Sequence, residues 1–256
     1  MPRFFIETPL QPEQSEYVIN GDEARHIASV LRMEPGDPLT LCDGARTDYS
    51  ARITAMDRTS VTVEILGRQA SETESSLEIT LCQGLPKSDK LDEIIQKAVE
   101  LGVARVVPMS CERSVARVDA KDADRKVERW QKIALAAAKQ CGRGQIPDVA
   151  WPTSFRRVVE DCKTFDLALI PWESEREQSL RTALEGAAPA LQAKIAAGQR
   201  PRIAILIGPE GGFSLSEIDL ALAAGIIPVT LGRRILRAET AGPAVLAMLG
   251  YQFGDF

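Results

Sequence analysis

The sequence predicts an α/β protein in which a parallel sheet, covered on both faces, follows a small β-barrel. Beyond residue 77, near-continuous apolar runs alternate with amphipathic helical spacing, the rhythm of strand and crossover helix in a parallel sheet. Before residue 70 the runs are short and alternating, and they gather around one small helix. The length bounds both parts. At 256 residues, 45% hydrophobic and 26% charged, the chain fits one large domain or two small ones with ample apolar surface for a core.

Taken in order, Phe4-Phe5-Ile6 reads as extended. Asp22 is placed to cap a helix from Glu23, because Ala24, Ile27, Ala28 and Leu31 recur at helical spacing. Pro35-Gly36-Asp37 turns the chain into a strand at 38–42, Asp43-Gly44 marks the next turn, and strands follow at 50–54 and 60–65. These elements define a barrel domain over 1–70. The small, polar residues of 71–76 read as a linker, and 77–256 form the second domain. There, strands are expected at 77–81, 103–109, 167–170, 203–207 and 227–231. A helix starting near Asp89 places Leu91, Ile94, Ile95, Ala98, Val99 and Leu101 on one stripe, and further helices are expected at 124–140, 179–197, 214–224 and 241–251.

Composition excludes several classes of function. No run of about 20 apolar residues is present to span a membrane, and the first ten residues carry acid and proline where a signal peptide is apolar. A cytoplasmic protein without a membrane partner is expected. Cys42, Cys82, Cys111, Cys141 and Cys162 form no CxxC, and the single His26 cannot complete a zinc site with scattered thiols, so no metal is expected. Net charge is −5, so a nucleic-acid partner has to be argued from a local patch. Charge divides unevenly along the chain: 13 basic against 9 acidic residues lie between Lys87 and Arg143, whereas residues 1–70 hold 7 basic, all arginine, against 11 acidic. A solvated helix face accounts for most such runs.

Two loops carry the chemistry. Ile203-Ala204-Ile205-Leu206-Ile207 runs into Gly208-Pro209-Glu210-Gly211-Gly212-Phe213-Ser214, with Ser214 as a helix cap and Glu217 as its capping-box partner. Ligands gather at the carboxyl ends of strands in open α/β sheets, and glycines let them approach the backbone. The spacing is neither GxGxxG nor GxxxxGK[ST], which removes dinucleotide and P-loop readings. By residue content alone the loop is equally a cradle for a ligand or a tight turn. The second loop follows Val229-Thr230-Leu231-Gly232, where Arg233, Arg234, Arg237 and Glu239 precede the final helix and make an anion-friendly rim. Glu239 and Thr240 are also placed simply to cap that helix. His26, on a short helix with apolar neighbours, is expected to be packed or to face a partner rather than to act as a general base.

The strings GPEGGFS-x-x-E and LG-x-RILR-x-ETA resemble the SPOUT superfamily of RNA methyltransferases, and more narrowly the RsmE family, which methylates N3 of a uridine in 16S rRNA. The resemblance covers nearly the whole chain. Arg3-Phe4-Phe5, Ala24-Arg25-His26-Ile27 and Val30-Leu31-Arg32 match the family's PUA-like front; Pro86-Lys87-Ser88-Asp89-Lys90 and the stretch from Gln96 to Val103 match its next signature. Arg129-Trp130 and Ala138-Lys139-Gln140-Cys141-Gly142-Arg143 match a helix in which Lys139 stands where the family usually has Glu.

The resemblance implies a C-terminal SPOUT domain with a trefoil knot, a homodimer, and S-adenosylmethionine as cofactor. Carried to matching positions, the cofactor pocket comprises Ile170, Gly208, Glu210, Gly211, Gly212, Leu231, Gly232, Ile235, Leu236 and Ala241. The catalytic candidates are Arg237, Arg233 and Glu239, with Glu210 as a second candidate base. The candidates for contact with 16S rRNA of the small ribosomal subunit are Arg3, Arg25, Arg32, Lys87, Lys90 and Arg143.

Overall fold

Alternation of inward and outward side chains shapes the first part of the chain in the computed structural model, which describes the backbone of residues 1–256 and every side chain except that of Ala120. The chain divides into two compact units, residues 1–74 with 138–146, and residues 75–137 with 147–256.

The first unit contains β1 (Arg3–Phe5), β2 (Glu16–Asn20), α1 (Gly21–Arg25), a π-helical turn at His26–Leu31, β3 (Pro38–Cys42), β4 (Thr47–Met56) and β5 (Ser60–Ala70). These strands form a barrel-like sheet in the order β1-β3-β4-β5-β2, antiparallel except where β1 meets β3. Tyr49, Ala51 and Ile53 of β4 face inward with Val61 and Val63 of β5, packing on Leu39, Leu41 and Ile27. Register shifts at Ser50/Ala51 and Ile53/Ala55 bend the β4–β5 ribbon, as bulges do. The helix starts one residue before the expected cap: Asn20 is its N-cap, and Asp22 lies within the first turn, paired with Arg25.

Residues 71–76, expected as a linker, are held by specific contacts. Ser71 and Ser75 are buried, and the Glu74 carboxylate accepts from the Arg143 guanidinium at 2.6 Å and from the backbone N–H groups of Gly144 and Gln145 at 2.9 and 3.0 Å. Lys139 pairs with Glu23.

The second unit adds β6 (Glu78–Gly84), α2 (Lys90–Glu100), β7 (Arg105–Ser110), α3 (Ala120–Cys141, its last residues belonging to the first unit), β8 (Asp148–Val149), β9 (Thr153–Ser154), α4 (Phe155–Cys162), β10 (Leu167–Pro171), α5 (Leu180–Ala196), β11 (Arg202–Ile207), α6 (Leu215–Ala223), β12 (Ile227–Val229) and α7 (Ala238–Phe253). The sheet runs β12-β10-β11-β6-β7-β8, with β9 on β7, and every pairing is parallel. Adjacent side chains of one strand point to opposite faces. Cys82, Ala204 and Leu206 pack with Phe155, Val158, Val159 and Ile218 of α4 and α6. On the other face Leu81 meets α7 at Gly242, and α7 packs on α2. Serines set where helices begin: Ser154, Ser179 and Ser214 accept from the backbone N–H three residues on, capping α4, α5 and α6.

Burial pushes the thiols of Cys42 and Cys162 up to about 12, as befits inert core cysteines. Among the described residues no helix is long and apolar enough to cross a membrane.

Candidate active site

Three neighbouring strands, β12, β10 and β11, end on the same edge of the sheet, and the loops that leave them enclose a cleft of about 520 Å³. A cleft of this size suits a ligand of cofactor dimensions.

The loop after β11 forms the floor. Gly212 donates to Pro209 O at 2.9 Å, closing a turn that Gly212 enters at φ +68°. The capping box then fixes the exit, with Glu217 N on Ser214 Oγ at 3.2 Å and Ser214 N on Glu217 Oε2 at 2.9 Å. Glu217 Oε1 also accepts from Glu112 N at 2.8 Å, and Arg113 donates to Gly211 O at 3.1 Å, so the loop after β7 braces the same turn.

The loop after β12 makes the opposite wall. Gly232 donates to Thr230 Oγ1 at 3.2 Å, and beyond it Arg233, Arg234 and Ile235 are exposed. Arg237 is the N-cap residue of α7 without a side-chain cap; its side chain is 82% exposed and reaches within 4.0 Å of Glu239 Oε1.

Lys90, at the start of α2, ties the two loops. Its Nζ lies 3.2 Å from Glu210 Oε1 and 3.3 Å from Glu239 Oε1. Lys87 N donates to both Glu210 oxygens at 3.1 and 3.3 Å. Burial pushes the Glu210 carboxyl up, but its own N–H, that of Lys87 and the Lys90 ammonium outweigh burial and hold it below the usual carboxylate range. The Glu239 carboxyl is lowered first by its own backbone N–H, against burial, with Lys90 and Arg237 adding to the effect. The Glu210 hydrogen bond raises Lys90 in turn, with Glu239 reinforcing it against desolvation. Both glutamates are thus ionised at neutral pH.

Of the cofactor residues expected from sequence, all but Ile170 line this cleft, as do Arg233, Arg237 and Glu239. Ile170 does not; it is 0% exposed and packs in the core among Phe213, Leu206 and Ile218. Pro171, Trp172, Glu173 and Arg176, from the loop after β10, line it instead. The same rule that singled out the β11 and β12 loops, that ligands sit at carboxyl strand ends, points to this third loop as well.

The residues expected at RNA separate. Arg25 and Arg32 are exposed in the first unit, and Lys87 is exposed in the second. Arg3 is half-buried, its guanidinium forked onto Asp48 at 2.9 and 2.7 Å. Lys90 belongs to the cleft. Arg143 is a correction to the sequence reading: it is 4% exposed and committed to Glu74, whose side chain is 0% exposed, which makes it a structural ion pair rather than a surface cation. His26 is exposed, with its ring edge-on to Phe4, and it lines no part of the cleft.

A family model described as an RNA methyltransferase domain matches residues 73–250, and one described as an RNA methyltransferase PUA domain matches residues 19–66. The ribosomal RNA small subunit methyltransferase E of Bacillus subtilis is 32% identical over 98% of this chain and 97% of its own length. That of Buchnera aphidicola subsp. Acyrthosiphon pisum is 30% identical over 100% and 95%. Among solved structures, the ribosomal RNA small subunit methyltransferase E of Neisseria gonorrhoeae, bound to S-adenosyl methionine, superposes with a TM-score of 0.81 at 32% identity, over 100% of this chain and 99% of that one. A glycine-floored cleft at three strand ends, on a chain matched end to end by these proteins, places it in the ribosomal RNA small subunit methyltransferase E family of RNA methyltransferases.

Proposed function

We infer that the protein transfers a methyl group from S-adenosylmethionine to N3 of a uridine in 16S rRNA of the small ribosomal subunit. The observation that carries this reading is the cleft itself, a floor of bare backbone facing apolar walls and a cationic rim. A side chain on Gly208 would meet the Gly212 backbone at 3.3 Å, so the floor is main chain folded back on itself, open to a ligand's polar atoms. Leu231, Ile235 and Leu236 offer the apolar wall an adenine needs. The residues fit the cofactor.

When bound, S-adenosylmethionine supplies an electrophilic methyl group on a sulfonium. The chain's part is to orient the uracil and to manage the charge left when N3 loses its proton. Glu239, ionised and exposed to the cleft, accepts that proton, with Glu210 as the alternative acceptor. Both carboxyls lie low, which makes them weak bases toward an N–H much less acidic than themselves, so negative charge builds on the uracil oxygens. Arg237 and Arg233 stabilise those oxygens, and this electrostatic role outweighs the proton transfer. The exposed Arg25 and Arg32 of the PUA domain and Lys87 contact rRNA phosphates. A homodimer and a trefoil knot in the second unit belong to the same proposal, as does a cytoplasmic location.

The test is to incubate small ribosomal subunits with the protein and methyl-labelled S-adenosylmethionine, then to separate the 16S rRNA nucleosides by mass. Label is expected in 3-methyluridine. Label in another nucleoside would change the target atom, and a protein that binds no cofactor would overturn the reading.

A further inference from the structure

Three carboxylates line the cleft, and they are not equivalent. Glu210 and Glu239 both pair with Lys90. Glu173 also lines the cleft, and among the described residues no cation forms an ion pair with it. It stands on the loop after β10, against the turn of the glycine loop: a Cβ added to Gly212 would fall 2.8 Å from Glu173 Oε1 and 3.3 Å from Oε2. Glu173 is exposed, and its carboxylate sits at the mouth of the bare-backbone floor.

A carboxylate without an ion-pair partner beside a partly enclosed cleft favours a cationic occupant over a neutral one, against the pull of the arginines that line the same cleft. The donor and the product of methyl transfer differ in that respect. S-adenosylmethionine carries a sulfonium and an ammonium against one carboxylate; S-adenosylhomocysteine keeps the ammonium and the carboxylate but has a neutral thioether. We propose that Glu173 is a specificity-determining residue that favours the cationic methyl donor over its product, so that the spent cofactor leaves. The proposal rests on the reading of this cleft as an S-adenosylmethionine site. Arg176, from the same loop, is exposed and lines the cleft too, so its charge acts in the opposite sense.

The test is calorimetric titration of the full-length protein with S-adenosylmethionine and with S-adenosylhomocysteine, in the wild type, Glu173→Gln and Arg176→Gln. Glu173→Gln is expected to weaken the donor about tenfold while the product stays within about twofold, an effect of the size expected for one near-surface charge. Arg176→Gln is expected to shift the donor-to-product ratio the other way. Product binding that survives in Glu173→Gln also reports an intact cleft. Equal losses for both ligands, or an unchanged ratio, would overturn the role of Glu173 while leaving the cofactor reading standing. A wild type that binds neither ligand would remove the cofactor reading itself, and the proposal with it.

Discussion

The glycine loop after β11 and the arginine loop after β12 face each other across one cleft, yet they are built by opposite means. The first is fixed at every step, by the Gly212–Pro209 turn, the Ser214–Glu217 box, Glu112, Arg113 and the Lys87 amide. The second has the Thr230–Gly232 contact at its start and a Lys90 tie at its end, and between them Arg233, Arg234, Ile235 and Arg237 are exposed, Ile235 at 81%, while Leu236 is half-buried in the cleft wall. A site that uses backbone to hold a small molecule needs the backbone in one place. A site that meets a large RNA needs its cations on the surface and leaves their final positions to the complex. The difference suits the first loop to fix the cofactor's polar groups, and the second to supply part of the apolar wall and, through its exposed arginines, the substrate chemistry proposed above.

The sharpest way to break that division is to push on the first loop from below. Gly84 ends β6, and a Cβ there would fall 2.6 Å from Pro209 N and 2.9 Å from Gly208 C, both main-chain atoms that cannot swing aside. Overpacking against a fixed neighbour costs about 1–3 kcal/mol. Gly84→Ala should therefore cost up to about a hundredfold in cofactor affinity, read by titration. Affinity within threefold of wild type would mean that the loop is not held by the sheet end.

Arg237→Ala tests the other side. Its side chain touches solvent and comes only to 4.0 Å from Glu239, so the cofactor floor should not feel its loss. Turnover on small ribosomal subunits should fall about ten- to a hundredfold, the scale of removing one charge-stabilising donor, while cofactor affinity stays within about twofold. A parallel loss of affinity would erase the contrast between the loops.

How far each loop was legible in the sequence follows the same line. GPEGGFS and its capping box are local chemistry, with cap, partner and turn all within ten residues, and the structure makes each bond the spacing called for. Partners distant in sequence were not legible. Arg143 and Lys90 read as surface cations, because nothing near them in the chain announces Glu74, 69 residues away, or Glu239, 149 residues away. Helix α4 carries Phe155, Val158, Val159 and Cys162 at helical spacing and was within reach of the pattern. The two-residue strands β8 and β9 are too short to show a period. Glu173 lies on an irregular loop whose only signal is its place after an apolar strand.

Lys90 joins the two loops, and its effect depends on pH in a calculable sense. The carboxyls of Glu210 and Glu239 lie low in the folded protein, so their contribution is present above the ordinary carboxylate range and is lost as pH falls through their folded values. Lys90 is raised, so its contribution holds below the ordinary lysine range and is lost as pH rises through its folded value. Lys90→Met should lower the unfolding midpoint most near neutral pH, with the gap from wild type closing toward acid and toward strong alkali. Thermal melts of both proteins across pH read this directly. A gap independent of pH would mean that the lysine acts through packing of its stem rather than through its charge.

The smallest effect should come from stiffening the second loop where it begins. Gly232 adopts φ +104°, a conformation costly to other residues, but a Cβ there meets nothing within 4 Å. Strain at such a position amounts to about 1–3 kcal/mol when the surroundings hold it in place. Here the residues that follow are exposed, so the chain can relax most of that strain away. Gly232→Ala should then raise KM for the RNA severalfold and weaken the cofactor by less than about fivefold, against up to about a hundredfold at Gly84. A loss of cofactor affinity as large as that of Gly84→Ala would mean that the arginine loop is held as firmly as the glycine loop.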